Sequence, residues 1–173
     1  TIIDNLAELD GMAETIIVDT GAGISDAVLE FLVASGEILL VTTPEPTSIT
    51  DSYSLLKSLS IHPRYDSSTT AVKMIANKVE KEEEGEALFN KLDAVVARYL
   101  KIPISFLGVV PQDPLLARAV MQQTPVSIQS PSAKSTQAYE RIAAKLMERE
   151  DIAPQPRRGM AAFFSHIISG RRV

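Results

Sequence analysis

Apolar residues along this chain follow two rhythms. Four runs are apolar almost throughout and rich in β-branched residues: Thr15–Asp19 (TIIVD), Glu37–Thr43 (EILLVTT), Thr70–Val79 (TAVKMIANKV) and Ile104–Val110 (ISFLGVV). Such runs read as strands buried on both faces. Between them the apolar residues recur at helical spacing. Val28, Leu29, Leu32 and Val33 mark a helix over 26–35 that Ser25 or Asp26 can cap. Pro44 and Pro46 end the second strand, and Thr47 or Ser48 then opens a helix to about Ser60. The acidic run Glu80 to Glu86 suits a helix N-terminus, and Leu88, Leu92, Val95, Val96 and Tyr99 carry that helix to Leu100. A short helix over 113–122 and a longer one over 133–149 follow Pro111. Strands alternating with helices predict an α/β fold, a mostly parallel sheet flanked by helices and joined by right-handed crossovers.

The length of 173 residues fits one domain with a real core. With 45% hydrophobic and 23% charged residues, disordered and collagen-like chains are excluded. Cysteine is absent, which removes disulfides, iron–sulfur clusters and thiolate zinc sites. The net charge of −5 conceals an asymmetry, because Arg157, Arg158, Arg171 and Arg172 lie in a stretch without any acid. The acidic body speaks against nucleic acid as a partner, and the basic tail speaks for an anionic surface. The expected boundaries are a domain over 1–150, a linker over 151–158 around Pro154 and Pro156, and a terminal helix within 159–173.

The unusual polar residues gather at strand ends, where open parallel sheets bind ligands. Asp19 ends an apolar run and is followed by Gly21 and Gly23. A carboxylate there can hold hydrated magnesium, and the glycines let backbone amides approach an anion. It can equally cap the following helix. Asn77 offers both a donor and an acceptor, matching an adenine edge, or it forms a turn. Pro111-Gln112-Asp113 can wall the same pocket, or start a turn with Asp113 as helix N-cap.

Four stretches, TIIVDTGAGIS, EILLVTTPEPTSITDSYSLLK, IANKV and FLGVVPQDPLLARAV, resemble the deviant-Walker ATPases of the MinD/ParA class. Within it they resemble most the MinD-like ATPases that set flagellar number and position (the FlhG, FleN and YlxH group). The resemblance covers almost the whole chain, and PEPTSITDSY is its most specific part. It implies a P-loop NTPase-like sheet of the SIMIBI type, incomplete at its N-terminus. It implies ATP or ADP with Mg2+ as cofactors and an ATP-dependent homodimer, cytoplasmic and reversibly peripheral to the inner face of the cell membrane. Asp19 would act on magnesium or its waters, Gly23 would lie near the γ-phosphate, Asn77 would contact adenine, and Val110 to Asp113 would line the base. Glu45 would reach the partner's nucleotide. The implied partners are a flagellar signal-recognition-particle-type GTPase and switch-complex proteins. Cell-division MinD and chromosome-partitioning ParA are the alternatives within the class, and a non-catalytic interaction module is the alternative outside it.

The sequence departs from that pattern in one respect. GxxxxGK[ST] occurs nowhere in it, and the aspartate that orients the attacking water has no counterpart. Backbone amides and a lysine on that loop neutralise the phosphates, so the chain alone is expected not to hydrolyse ATP and to hold no catalytic residue. In the tail, Met160, Phe163, Phe164, Ile167 and Ile168 fall on one helical face, with Arg171 and Arg172 just beyond. An isolated helix this short is marginal in water, so it needs a surface to form on. These residues are expected to bind membrane, or to dock on their own domain.

Overall fold

The computed structural model describes residue 13, residues 15–147 and residue 167. Helix α1 (Asp26–Ala34) begins at Ser25, whose hydroxyl accepts from the Val28 amide at 3.4 Å. It turns at Ser35-Gly36 into β1 (Glu37–Thr42). Helix α2 (Pro46–Ser60) carries a proline at its start, where the missing amide costs nothing. Then come β2 (Ala71–Val79), α3 (Glu82–Tyr99) and β3 (Ile104–Pro111). Helix α4 (Pro114–Met121), the one-turn α5 (Val126–Gln129) and α6 (Lys134–Met147) complete the described chain.

The three strands form one sheet that is parallel, as the two rhythms predict, in the order β1-β2-β3. Its two faces are covered unequally. On one, Ile38, Leu40, Val72, Met74 and Ala76 meet Val33 of α1, Leu56 and Leu59 of α2, and Leu88, Leu92 and Val96 of α3. Phe89 stacks on Phe106 there, with ring centroids 5.2 Å apart. Gly85 lets α3 approach the sheet, because a Cβ at that position would run into Val109 and Ala76. On the other face, Ala138 and Ile142 of α6 cover Ile75, Leu107 and Val110. Leu39 and Val41 of β1 lie on that face too, and both are exposed.

Three expectations need correction. Residues 15–19 form no strand: they stand exposed without regular structure, with Ile17 80% accessible. A β-branched run becomes a strand only when a neighbour completes its ladder, and no described strand does so. Helix α2 opens at Pro46 rather than at Thr47 or Ser48. The Ser48 hydroxyl instead accepts from the Thr43 amide at 2.9 Å and ties the helix to the end of β1. Helix α3 starts at Glu82, because Glu80 and Lys81 complete a turn in which the Glu84 carboxylate accepts from the Glu80 amide at 2.7 Å.

The linker over 151–158 lies outside the described residues. So do Met160, Phe163, Phe164, Ile168, Arg171 and Arg172. Ile167 is described, helical and half-buried. Among the described residues no helix is long and apolar enough to cross a membrane.

Candidate functional site

The parallel register carries the ends of β2 and β3 to one rim of the sheet. Asn77 pairs with Val110 and Val79 with Pro111, with an irregularity in the ladder between Asn77 and Val79. That irregularity has a local cause. Lys78 adopts a left-handed backbone, φ 57°, and the Asn77 Oδ1 accepts from its amide at 2.9 Å. A side chain that bonds its own backbone in this way stabilises a bulge, and bulges redirect neighbouring side chains. The Asn77 amide nitrogen finds no protein partner among the described residues. On the next strand, the Gln112 amide donates to the Val79 carbonyl at 2.9 Å, which holds the segment after β3 against β2. Val110 is buried beneath, Pro111 is half-buried and Gln112 is exposed.

Asp113 is committed elsewhere. Its Oδ1 accepts from the Leu115 amide at 2.8 Å as N-cap of α4. Its Oδ2 accepts from the amide and the hydroxyl of Ser135 at 3.0 and 2.9 Å. The carboxylate is buried, and the Ser135 backbone bond leads the interactions that hold its pKa below the ordinary value. Asp113 therefore fastens the first turns of α4 and α6 together and supports the rim from below. Sequence reasoning misses Ser135, since nothing local marks a partner 22 positions away.

Glu45 is the exposed N-cap of α2, just past the end of β1, and makes no side-chain capping bond. Beneath it Thr42 and Ser52 share a buried hydroxyl–hydroxyl bond of 2.7 Å. Asp19, Gly21 and Gly23 are exposed in the irregular stretch ahead of α1. Gly23 has φ 110°, a conformation only glycine adopts without strain. Helix α1 packs on the sheet core through Val33 near its C-terminal end. The structure thus joins Asn77, Val110 and Pro111 through strand pairing and Gln112 through its bond to Val79, with Asp113 following in sequence. No hydrogen bond among the described residues joins Asp19, Gly21, Gly23 or Glu45 to them.

Two ligand questions follow from this geometry. Beside Val110, the Asn77 side chain keeps its amide nitrogen as a donor for a purine nitrogen, while its Oδ1 is taken by the Lys78 amide. Magnesium fits less fully. Among the described residues no group of three metal-ligating side chains forms, and Asp19 would supply one carboxylate. A cavity of about 180 Å³ lies alongside the rim, toward α6, lined by Val79, Pro111, Lys134 and Arg141. Asn77 does not line it.

No family model matches the chain. It is 36% identical over 165 residues to the antiactivator FleN of Pseudomonas aeruginosa, spanning 94% of this chain and 56% of that protein. It is 28% identical over 172 residues to the flagellum site-determining protein YlxH of Helicobacter pylori, again spanning 56% of that protein. The chain therefore spans little more than half the length of these relatives. Among solved structures, the cell division ATPase MinD of Pyrococcus furiosus superposes with a TM-score of 0.61 over 86% of this chain and 59% of that one. A ParA family ATPase of Chlorobium tepidum also gives 0.61. Each is 20% identical to this chain in sequence, a likeness of fold. In sequence the chain is similar to the C-terminal portion of FleN and YlxH, and it shares the fold of the MinD and ParA family ATPases.

Proposed function

We propose that this chain is the base-binding and partner-reading part of a MinD-like ATPase that controls flagellar number or placement. The observation that carries the reading is the rim itself. A free asparagine amide, a proline and a glutamine meet at the ends of adjacent parallel strands, in a chain similar to FleN and YlxH. Asn77 would hydrogen-bond adenine, and Val110 to Gln112 would pack on its face, with Asp113 fixing the segment. Asp19 and the glycines at 21 and 23 would meet the phosphate and magnesium side. Magnesium bound there would neutralise phosphate charge, its remaining ligands coming from phosphate and water.

The phosphate loop is absent from this sequence, so nucleotide turnover requires a segment that supplies it. On this reading nucleotide binding drives homodimerisation, with Glu45 contributing across the interface. The tail residues Met160, Phe163, Phe164, Ile167, Ile168, Arg171 and Arg172 bind an anionic membrane surface. Two tails in one dimer bind far better than one, through effective concentration. Protein partners then read the assembled state. The fold supports a partner of that kind, since the structurally similar MinD of Aquifex aeolicus forms a MinC:MinD cell division protein complex. Here the expected readers are flagellar GTPase and switch-complex proteins.

The test joins this chain to the portion of P. aeruginosa FleN that it does not span, and titrates magnesium-ADP calorimetrically. Binding that weakens about tenfold or more in Asn77→Ala supports the reading. Absence of binding in the joined protein overturns it, and favours an interaction module that binds vesicles but no nucleotide.

A further inference from the structure

The hydrogen bonds already made at the rim restrict what it can read on a base. An adenine edge sets a ring acceptor, N7, beside an amine donor, N6, and a guanine edge sets the same N7 beside a keto acceptor, O6. N7 therefore anchors either purine, and only a contact to the exocyclic group tells them apart. Receiving the amine takes an acceptor. Among the described residues at the ends of β2 and β3, Asn77, Glu80, Gln112 and Asp113 carry side-chain acceptor oxygens. The Asn77 Oδ1 accepts from the Lys78 amide at 2.9 Å, inside the left-handed bulge. An inverted amide would set two donors against each other there, so the outward end of Asn77 is its nitrogen. Asp113 is buried, with one oxygen on the Leu115 amide and the other on Ser135. Glu80 lines the cavity toward α6, which Asn77 does not line.

Gln112 differs from all three. Its side chain is exposed, and neither end of its amide has a hydrogen-bond partner among the described residues. Its backbone amide donates to the Val79 carbonyl at 2.9 Å, which holds the residue beside β2 and leaves the side chain free. Strand alternation puts it on the face of Asn77. Ile75 and Val110 lie together under α6, Asn77 comes two residues after Ile75, and Gln112 comes two after Val110. Asn77 and Val110 are also register partners.

We propose that Asn77 anchors any purine through a bond from its Nδ2 to N7, and that position 112 sets the choice between adenine and guanine. The inference rests on the nucleotide reading above and deepens it. The Gln112 Oε1 receives the adenine amine. Turned over, the same amide donates to O6, so an acceptor alone at this position favours adenine and a donor alone favours guanine. Asn77 has no such freedom, because its oxygen is held in the bulge.

The experiment uses the chain joined to the portion of P. aeruginosa FleN that it does not span, and measures Kd for magnesium-ADP and magnesium-GDP in the parent and in three variants. Asn77→Ala should weaken both about tenfold and keep their ratio within about threefold. Gln112→Glu should move the ratio about tenfold toward ADP, and Gln112→Lys about tenfold toward GDP. The added charge meets the same two phosphates in both ligands, so it cancels in the ratio. An ADP analogue with carbon in place of N7 should bind the unaltered protein about tenfold more weakly than ADP, a readout that needs no variant to fold. Unfolding midpoints of the Gln112 variants should match the parent, since the replaced side chain is exposed. Three results overturn the proposal: the carbon analogue binding as tightly as ADP, Asn77→Ala shifting the ratio beyond that limit, or a ratio that stays put in either Gln112 variant, which assigns the choice to a main-chain carbonyl. The functional reading is tested apart from this. A joined protein that binds neither nucleotide sinks both, and one that binds ADP with a ratio indifferent to position 112 leaves the reading standing and sinks this inference alone.

Discussion

Removing the Asp113 carboxylate tests whether the rim is built on a structural clamp. In Asp113→Ala three hydrogen bonds disappear, those from the Leu115 amide and from the Ser135 amide and hydroxyl. Loss of an N-cap costs about 0.5–2 kcal/mol. Leaving buried donors of Ser135, itself fully buried, without a partner adds about 1–3 kcal/mol. The expected total is about 2–4 kcal/mol, read as a shift in the urea unfolding midpoint at constant slope, or as a fall of roughly 5–15 °C in Tm for a chain of this size. The pH dependence carries a definite sign. The folded pKa is depressed, so the stabilisation is fully present above the unfolded value of about 3.9 and is lost as pH falls below it through the folded pKa. The gap between parent and Asp113→Ala should therefore be constant at neutral pH and narrow in acid. A destabilisation under about 0.5 kcal/mol, or a gap unchanged down to the lowest pH at which the protein stays folded, would refute the clamp.

Three further outcomes are expected. Gly85→Val should destabilise by about 1–3 kcal/mol in urea titration, because its side chain meets Val109 and Ala76 where α3 crosses the sheet. Thr42→Val should cost about 1–3 kcal/mol by stranding the Ser52 hydroxyl. The double change Thr42→Val/Ser52→Ala should recover part of that loss, giving a coupling of about 0.5 kcal/mol or more in the mutant cycle. Lys145→Met should lose about 1 kcal/mol from the Leu107 carbonyl bond and raise the light-scattering rate on warming, since it unguards the β3 edge.

What could be read from the residues, and what could not, divides along the range of the forces involved. EILLVTT, TAVKMIANKV and ISFLGVV reveal their strands as continuous apolar runs, although Leu39 and Val41 of the first are exposed. TIIVD has the same composition and forms no strand, since strand formation depends on a neighbour and not on the run alone. Asn77 and Pro111 could be expected to meet, because both sit at the ends of strands that alternate with helices. Asp113 could not be divided between ligand and cap from its neighbours, because the deciding bonds come from Ser135. Ser48 reads as a helix cap by its spacing, yet it bonds the Thr43 amide because Pro46 already starts the helix. The apolar stripe from Met160 to Ile168 is plain in the sequence, and apart from Ile167 it lies outside the described residues.

Helix α6 is pinned along its length: by Asp113 at its first turn, by Ala138 and Ile142 on the sheet, and by Lys145 in its last turn. A shift of this helix would break a carboxylate clamp, a packed apolar face and an ammonium bond together, so the helix and the β3 side of the sheet move as one body.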